Sequence, residues 1–367
     1  MTDTVKSGQC LRLKSRFGKC AKVQYTGKPY FVSMVRRKEK TDMSRRKLFH
    51  LIFWLGFFLL TAVWVYPVQS QDKYPVRNIE IICPYSAGGS TDLSARMAAD
   101  YARKRWGTPV NVTNKPGGNS VPACVEVYAA KPDGYTLLAD TQNSSAMLPV
   151  AVKPLPFKVL DRTFVAIWNM TPMVIFVNAN SPIKNLDDVA AEARRDPDTF
   201  TWGSMGGVGA QDYCIRQFLK AVGVDVRRTK PVMCPGAPQV IALTGGGHIK
   251  LGAGAISSTL PGLNAKVVRA IAVTGETRSP ELPDLPTFKE LGYPTVTGFH
   301  YNGLSGPPNM PAFVQEMWDK LFQDMLKDPE VLERMKKMGL LPFYRNSSQT
   351  KEFVVKQTEE IAILWGI

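Results

Sequence analysis

Short apolar runs alternate with longer amphipathic stretches from Tyr74 to the carboxyl end. Runs of β-branched residues predict strands, and apolar positions that recur every three or four residues predict helices packed on one face. Strands are predicted at 79–83, 109–113, 135–139, 164–168 and 173–177, the last two on either side of Pro172. Helices are predicted at 92–106, 121–130, 186–195, 211–222, 312–327, 330–338 and 350–364. Strands that recur after helices are typical of an α/β protein with mainly parallel strands.

Two glycine-rich turns each follow a predicted strand and precede a predicted helix. They are PYSAGGST at 84–91 and SMGGVG at 204–209. Backbone N–H groups at the start of a helix, together with the helix dipole, favour an anion such as a carboxylate or phosphate. A single turn of this kind is usually only a helix start, but two at corresponding places in two α/β halves favour binding. Neither turn has a nucleotide-binding or G-x-S-x-G pattern.

The amino end carries an export pattern. An uncharged segment from Leu48 to Tyr66 follows three basic residues and precedes Pro67. This pattern predicts a signal peptide over 43–70, cleaved so that the mature chain starts near Gln71. The length of the uncharged segment also fits an uncleaved membrane anchor. Residues 1–42 fit neither a signal nor a fold, so we interpret them as an extension from a start site placed too far upstream; a basic cytosolic tail is the alternative.

The charge of the chain is concentrated at the same end. The formal net charge is +15, but residues 1–47 carry 14 lysines and arginines against three acidic residues, so they supply +11 and the rest only +4. The nearly neutral globular part is therefore not expected to bind nucleic acid. The sequence has only three histidines and no C-x-x-C pair, so we expect neither a metal site nor a cofactor.

Several short motifs follow one another along the chain. They are PYSAGGSTD (84–92), NKPGG (114–118), PDGYTLL (132–138), RAIAVT (269–274), RSP (278–280) and LPTFKELG (285–292). In identity and order these motifs resemble those of the extracytoplasmic solute receptors of tripartite tricarboxylate transporters, the Bug family. The resemblance extends from Tyr74 to the carboxyl end.

The resemblance implies a two-lobed α/β fold of the periplasmic-binding-protein type, a type II-like Venus flytrap whose chain crosses the hinge twice. It places lobe 1 at 74–170 and 300–367, and lobe 2 at 171–299. It implies a monomeric periplasmic receptor, without enzymatic activity, that binds a small organic carboxylate between the lobes and delivers it to membrane permease subunits.

By position, the glycine turns and the neighbouring strand ends supply the expected ligand contacts. In lobe 1 these are Tyr85, Ser86, Gly88, Gly89, Ser90, Asp92, Thr141 and Gln142. In lobe 2 they are Ser204, Gly206, Gly209, Ala210, Gly236 and Ala237. The chain departs from the family at Cys234-Pro235 and at Gly254, where many members carry a lysine and an aspartate, so lobe 2 lacks one cation and one anion.

Cysteine pairing and two other functions stay open. Four cysteines follow the predicted cleavage site, and in an oxidising compartment they allow three pairings. We favour Cys214 with Cys234, because one begins a helix and the other ends the next strand; free buried thiols are the alternative. Ser86 or Ser204 could be an enzyme's nucleophile, although no histidine lies near either turn in sequence. A ligand-sensing subunit is the other reading, and His300 is either packed or pocket-lining.

Overall fold

The computed structural model describes residues 73–207 and 209–365. The upstream extension and the signal peptide expected from the sequence lie outside the described residues, so both stay predictions. Within the described ranges, no helix combines the length and the apolar character needed to cross a bilayer.

The described residues contain ten strands and ten α-helices. The strands are β1 (Ile79–Cys83), β2 (Val110–Asn114), β3 (Thr136–Thr141), β4 (Thr163–Asn178), β5 (Thr201–Ser204), β6 (Lys230–Met233), β7 (Gly252–Ala255), β8 (Val268–Val273), β9 (Phe299–Gly306) and β10 (Leu341–Arg345). The helices are α1 (Ser90–Trp106), α2 (Val121–Tyr128), α3 (Leu148–Ala151), α4 (Leu186–Arg195), α5 (Ala210–Ala221), α6 (Ala237–Gly245), α7 (Ile256–Asn264), α8 (Ala312–Met325), α9 (Pro329–Lys337) and α10 (Ser347–Trp365). Apart from the region of Pro172, the predicted elements are confirmed to within a few residues.

The predicted break at Pro172 is wrong, because residues 163–178 form the single strand β4. Pro172 lies opposite Phe299, the first residue of β9, so it stands at the end of that ladder. The next residue, Met173, already pairs with Ala255 of β7. The strand tolerates a proline here because it changes partners at this point, and the missing N–H interrupts no continuous ladder.

Eight of the strands form one sheet that has two parts, and strand β4 runs through both. Its first part pairs with β9 and β10, and its second part with β7 and β8. Beyond β9 the order continues through β3, β1 and β2. Five of the seven ladders of this sheet are antiparallel, so the expectation of mainly parallel strands is wrong. Strands β5 and β6 pair in parallel in a separate two-stranded sheet. The long strand β4 accounts for four of these ladders, because β7, β8, β9 and β10 all run opposite to it.

Each part of the sheet has its own hydrophobic core. On the side of β9, Trp168 stacks on Phe322 of α8, with 4.5 Å between ring centroids and 4° between ring planes. On the side of β7, Phe218 of α5 packs against Phe288, with ring centroids 5.8 Å apart. These rings belong to separate clusters of buried side chains. The described residues therefore have a two-lobed α/β fold.

Thr274 ties together the two segments that cross between the lobes. Its Oγ1 accepts a hydrogen bond from the N–H of Met173, at 2.8 Å, and its hydroxyl donates to the carbonyl of Gly298. Both partners lie where the chain changes from one part of the sheet to the other. This supports the lobe boundaries predicted from the sequence, which we propose here: 74–170 with 300–367 for lobe 1, and 171–299 for lobe 2.

The disulfide favoured from the sequence is not formed. Cys83, Cys124, Cys214 and Cys234 are all free and buried. Cys214 packs in the core of lobe 2 with Phe218, whereas Cys234 belongs to a different cluster of buried side chains around Phe176. A disulfide bond would require each thiol to leave its own cluster. That a helix and a strand follow each other in the chain therefore does not predict that their cysteines are paired.

Candidate functional site

Four helices begin at the wall of a cavity of about 30 Å³ between the lobes, the inner cavity. From lobe 1 it is lined by Tyr85, Gly89, Ser90, Thr91, Asn143 and His300. From lobe 2 it is lined by Met173, Met205, Gln211, Ala237, Gly254, Ala255 and Ser258. The helices are α1, α5, α6 and α7. Because the first N–H groups of a helix have no partner within it, and the dipole is positive at that end, this wall favours an anion.

Asp92 fixes the first glycine turn. Its carboxylate accepts hydrogen bonds from the N–H of Gly88 at 2.9 Å and from Nδ2 of Asn114 at 2.9 Å, and it pairs with Arg96 at 2.9 Å. Burial of this carboxyl opposes its ionisation, but these partners outweigh burial and hold its pKa below the ordinary value. Gly88 has φ of +79°, which glycine adopts without strain. Asp92 therefore braces the turn and is not among the lining residues.

Asp212 fixes the second turn in the same way. It accepts hydrogen bonds from the N–H groups of Met205 at 2.9 Å and Gly209 at 3.1 Å, and from the hydroxyl of Ser204. Burial raises the pKa of this carboxyl, and the hydrogen bonds oppose that rise only in part. Ser204 is fully buried and donates to Asp212, so it supports the turn and is not a candidate nucleophile.

The two turns share the pattern G-x-x-D-x-x-x-R, as GSTDLSAR at 89–96 and GAQDYCIR at 209–216. In both, the glycine precedes the helix and the aspartate is the third helical residue. The arginine one turn later favours the ionised form of the aspartate in each case. This repeat was present in the sequence, and it would have assigned both acids to bracing the turns instead of contacting a ligand.

Ser90 presents an unpartnered hydroxyl to the inner cavity. Its side chain is 6% exposed, and its Oγ has no hydrogen-bond partner among the described residues. Leaving a buried hydroxyl without a partner costs free energy, so buried polar groups are nearly always paired. This hydroxyl lies at the start of α1, beside the N–H groups of the first turn that have no intrahelical partner.

His300 is both buried and cavity-lining, which combines the two readings that the sequence left open. Its Nε2 lies 3.0 Å from Oγ1 of Thr91 and 3.2 Å from Oδ1 of Asn302. Burial lowers the pKa of the imidazole to about 4, although Asn302 opposes this shift. At neutral pH the ring is therefore uncharged, and it positions the Thr91 hydroxyl without adding a cation to the cavity.

The lobes are closed upon each other. The N–H of Ala210 donates to Oδ1 of Asn143 at 3.0 Å across the cleft. Gly236 lies so close to the opposite lobe that a Cβ added to it would be 2.9 Å from Cβ of Ser86. A volume of about 30 Å³ holds about two water molecules. A larger molecule does not fit in the inner cavity as it stands in this closed form.

A second cavity of about 210 Å³, the outer cavity, adjoins the inner one. Tyr85 and Met205 line both and stand between them. The outer cavity is also lined by Pro84, Gly117, Gly118, Asn119, Ser120, Gly206, Met233, Cys234 and Pro235. Tyr85 and Met205 are thus shared walls of the two cavities, which lie side by side between the lobes.

The predicted contact residues are placed in three ways. Those that line the inner cavity are Tyr85, Gly89, Ser90 and Ala237, and Gly206 lines the outer cavity. Those that hold the turns or the lobe contact are Gly88, Asp92, Ser204, Gly209, Ala210, Ser86 and Gly236. Thr141 is buried behind the cavity, 3.0 Å from the hydroxyl of Tyr85, and Gln142 is buried next to it.

Sequence reasoning missed several lining residues. They are Asn143, Met173, Met205, Gln211, Gly254, Ala255 and Ser258. Three of these could have been found: Asn143 directly follows the predicted pair 141–142, and Ala255 and Ser258 lie at a further strand-to-helix junction. Met173 and Met205 carry no such signal, because a methionine in a strand or turn usually packs in a core.

Comparison with known proteins identifies the family. The model of the tripartite tricarboxylate transporter family receptor matches residues 94–364. The UPF0065 protein of the TAR-I ttuE-ttuC' intergenic region of Agrobacterium vitis is 32% identical over 84% of this chain and 86% of that protein.

Solved structures agree with this match. The periplasmic binding protein BugD is 27% identical, with a TM-score of 0.75 over 80% of this chain and 98% of that one. MatC from Rhodopseudomonas palustris, with bound malate, has the same fold, with 23% identity and a TM-score of 0.74 over 79% of this chain and 99% of that one. The resemblance seen in the motifs is therefore confirmed: the chain belongs to the tripartite tricarboxylate transporter family receptors, which are solute-binding proteins and not enzymes.

Proposed function

We propose that the chain is a monomeric periplasmic receptor that binds a small organic carboxylate in the inner cavity and delivers it to the membrane permease subunits of a tripartite transporter. The family of the chain supports the receptor role. The observation that supports a carboxylate ligand is the buried, unpartnered Oγ of Ser90 at the start of α1. Export would require the signal expected at 43–70, and amino-terminal sequencing of the exported protein, with Gln71 expected near its start, tests that part.

In this proposal one carboxylate oxygen accepts from the hydroxyl and N–H of Ser90, and the other accepts from the N–H of Thr91. These N–H groups lie in the first turn of α1, where no intrahelical acceptor is available. A hydrogen bond to a charged group contributes about 1.5–3 kcal/mol, roughly twice a neutral one. The first turns of α5 and α7 face the same space from lobe 2 through Gln211 and Ser258.

Contacts from both lobes couple binding to closure. A ligand shifts the equilibrium between open and closed forms only through its different affinity for the two. A carboxylate held by α1 alone would bind both forms equally, whereas one that also contacts Gln211 and Ser258 stabilises the closed form. The permease can then distinguish the loaded receptor by its closed shape. Thr274, which ties both crossing segments, lies where this motion has to take place.

A paired ligand screen tests the proposal. The purified chain is heated with mono-, di- and tricarboxylates, and each is matched with its primary amide, which has a similar shape and no charge. A bound acid at 100 times its dissociation constant stabilises the folded state by about 2.7 kcal/mol and raises the melting temperature. We expect at least one acid to do so while its amide does not. If amides stabilise the protein as well as acids, or if no carboxylate does, the proposal is wrong.

A further inference from the structure

An ion pair is buried in lobe 1. The carboxylate of Asp140, near the end of β3, lies 3.5 Å from Nη2 of Arg162, which directly precedes β4, and neither side chain is more than 3% exposed. Neither residue is among the described residues that line the inner or the outer cavity. Taking two charges out of water is costly, and well-packed apolar residues in place of such a pair are often at least as stable. Stability alone therefore does not account for the pair.

The hydrogen bonds of this pair converge on one turn of the chain. Asn143–Met147 form a single π-helical turn after β3, here called the Asn143 turn. Oδ1 of Asp140 accepts from the hydroxyl of Ser144 at 2.5 Å and from that of Ser145 at 2.6 Å. Nη2 of Arg162 donates to the carbonyl of Ser144 at 2.9 Å and to Oγ of Ser145 at 3.0 Å. Both charged groups thus hold both serines.

The same segment places two residues of the inner cavity. Asn143 begins the turn, and its Oδ1 accepts the N–H of Ala210 across the cleft at 3.0 Å. The N–H of Thr141 donates to Oδ1 of Asp140 at 2.9 Å, and its Oγ1 lies 3.0 Å from the hydroxyl of Tyr85. Asn143 and Tyr85 both line the inner cavity. The buried pair is therefore connected to the lobe contact and to the cavity wall by short chains of hydrogen bonds.

We infer that Asp140 and Arg162 are positioning residues of the receptor. The pair holds the Asn143 turn, and with it the oxygen of Asn143 that closes the lobes, without touching the ligand. A π-helical turn is rare and is often found at functional sites, so its shape has to be supported by its surroundings. The consequence for ligand affinity rests on the proposed function, whereas the consequence for lobe closure can be measured on the free chain.

The N–H of Ala210 reports on the position of the Asn143 turn. Ala210 is the first residue of α5, so its N–H has no acceptor within the helix and is bound by Oδ1 of Asn143 instead. Tyr213 in the same helix is the reference, because its N–H donates to the carbonyl of Gly209 at 2.9 Å. Hydrogen exchange of both amides can be measured by NMR without a ligand. Displacement of the turn should speed the exchange of Ala210 and leave that of Tyr213 unchanged.

A double variant tests the role of the pair. Asp140→Ala/Arg162→Met removes both charges, whereas either change alone would leave one buried charge unpaired. We expect the exchange of Ala210 to rise about two- to tenfold, as for the loss of one neutral hydrogen bond. In an Asn143→Ala background the double variant should add little, because the acceptor is already gone. Asp140→Asn/Arg162→Met keeps an oxygen for the two serine hydroxyls, so it should regain most of the protection.

Tyr74→Phe is the matched control in the same lobe. The buried hydroxyl of Tyr74 accepts from Nε1 of Trp318 at 2.8 Å and donates to the carbonyl of Gly134 at 2.7 Å. Its loss should destabilise the chain in urea and leave the exchange of Ala210 unchanged. Circular dichroism establishes that all variants are folded. Unchanged exchange of Ala210 in the folded double variant, an equal rise in the control, or an undiminished rise in the Asn143→Ala background overturns the inference.

Calorimetry extends the test to binding, with succinate, malate, adipate, citrate and benzoate as probes. An acid of this set that binds the wild-type chain should bind the double variant about two- to tenfold more weakly and Tyr74→Phe equally well. Unchanged affinity in the folded double variant would overturn the role of the pair in binding. If no acid of the set binds the wild-type chain, the proposed function loses its support, and the exchange of Ala210 still decides whether Asp140 and Arg162 hold Asn143.

Discussion

The hydroxyl of Ser90 should have opposite effects on stability and on binding. In the closed structure this Oγ is buried without a partner among the described residues, so the folded chain bears the cost of removing it from water. Ser90→Ala removes that cost, and we expect the free energy of unfolding to stay equal or to rise by up to about 1 kcal/mol. The same change deletes a donor to a charged ligand oxygen, which is worth about 1.5–3 kcal/mol. Binding should weaken by about 10- to 150-fold.

Ser94 provides a matched control one helical turn later. It is fully buried as well, but its Oγ accepts from Nε1 of Trp168 at 3.0 Å and from Nδ2 of Asn169 at 2.6 Å. Ser94→Ala leaves two buried donors without an acceptor, so it should cost about 1–3 kcal/mol of unfolding free energy. Because Ser94 does not line the inner cavity, the folded variant should bind with nearly unchanged affinity.

Urea denaturation and calorimetry separate the two effects. Denaturation of the free proteins reports the stability change and needs no ligand, and calorimetry with the tightest acid from the screen reports binding. A stability loss above about 1 kcal/mol in Ser90→Ala would mean that its hydroxyl is paired in the folded chain. Unchanged affinity in that variant would place the carboxylate somewhere other than the start of α1.

Three further outcomes follow from the structure. His300 has a pKa of about 4 in the folded chain, against an ordinary value of 6.5 in the unfolded chain. Below pH 6.5 the unfolded chain therefore takes up a proton first, and stability falls by up to about 3 kcal/mol toward pH 4; urea titrations should show that His300→Gln lacks this part of the fall. Asn143→Ala removes the acceptor for the N–H of Ala210, so it should weaken closure by about 0.5–1.5 kcal/mol, and scattering should detect a larger mean radius of the free chain. Cys214 and Cys234 should both react as free thiols after denaturation of protein kept under oxidising conditions, and a linked peptide would contradict the structure.

Most elements of the fold could be predicted from the hydrophobic pattern, because each buries one face on one core. The helix at 186–195 is an example. A polar residue just before an apolar stripe predicts a helix start, and Oδ1 of Asn185 does accept a hydrogen bond from the N–H of Asp188 at 2.9 Å. The pattern failed at Pro172, where the expectation of a break rested on a local property of proline. What decides the outcome there is tertiary, since β4 exchanges β9 for β7 at that residue.

The sequence located the two glycine turns but did not reveal the roles of their side chains. Both glycine turns do lie at the cavity, because a strand end followed by a helix start is a local arrangement that a sequence reveals. The role of each side chain depends on which neighbour has already taken its hydrogen bonds. Ser90 and Ser204 occupy similar turns, yet one hydroxyl is unpartnered and the other is bound by Asp212. That difference arises from packing and is invisible in the two short motifs.

The acids at the two turns explain how a neutral cleft can hold an anion. At each turn an aspartate takes up the N–H groups that precede the helix, such as those of Gly88 and Gly209. The N–H groups of the following first turn stay available, and they point along the helix dipole toward the cavity. An aspartate at the third helical position would repel a bound carboxylate if its charge were free, but Arg96 pairs with Asp92 and burial disfavours the charge on Asp212. The shape of the turn and the electrostatics of the site are thus set by the same two residues, and affinity for one carboxylate needs no lysine or arginine in the cleft.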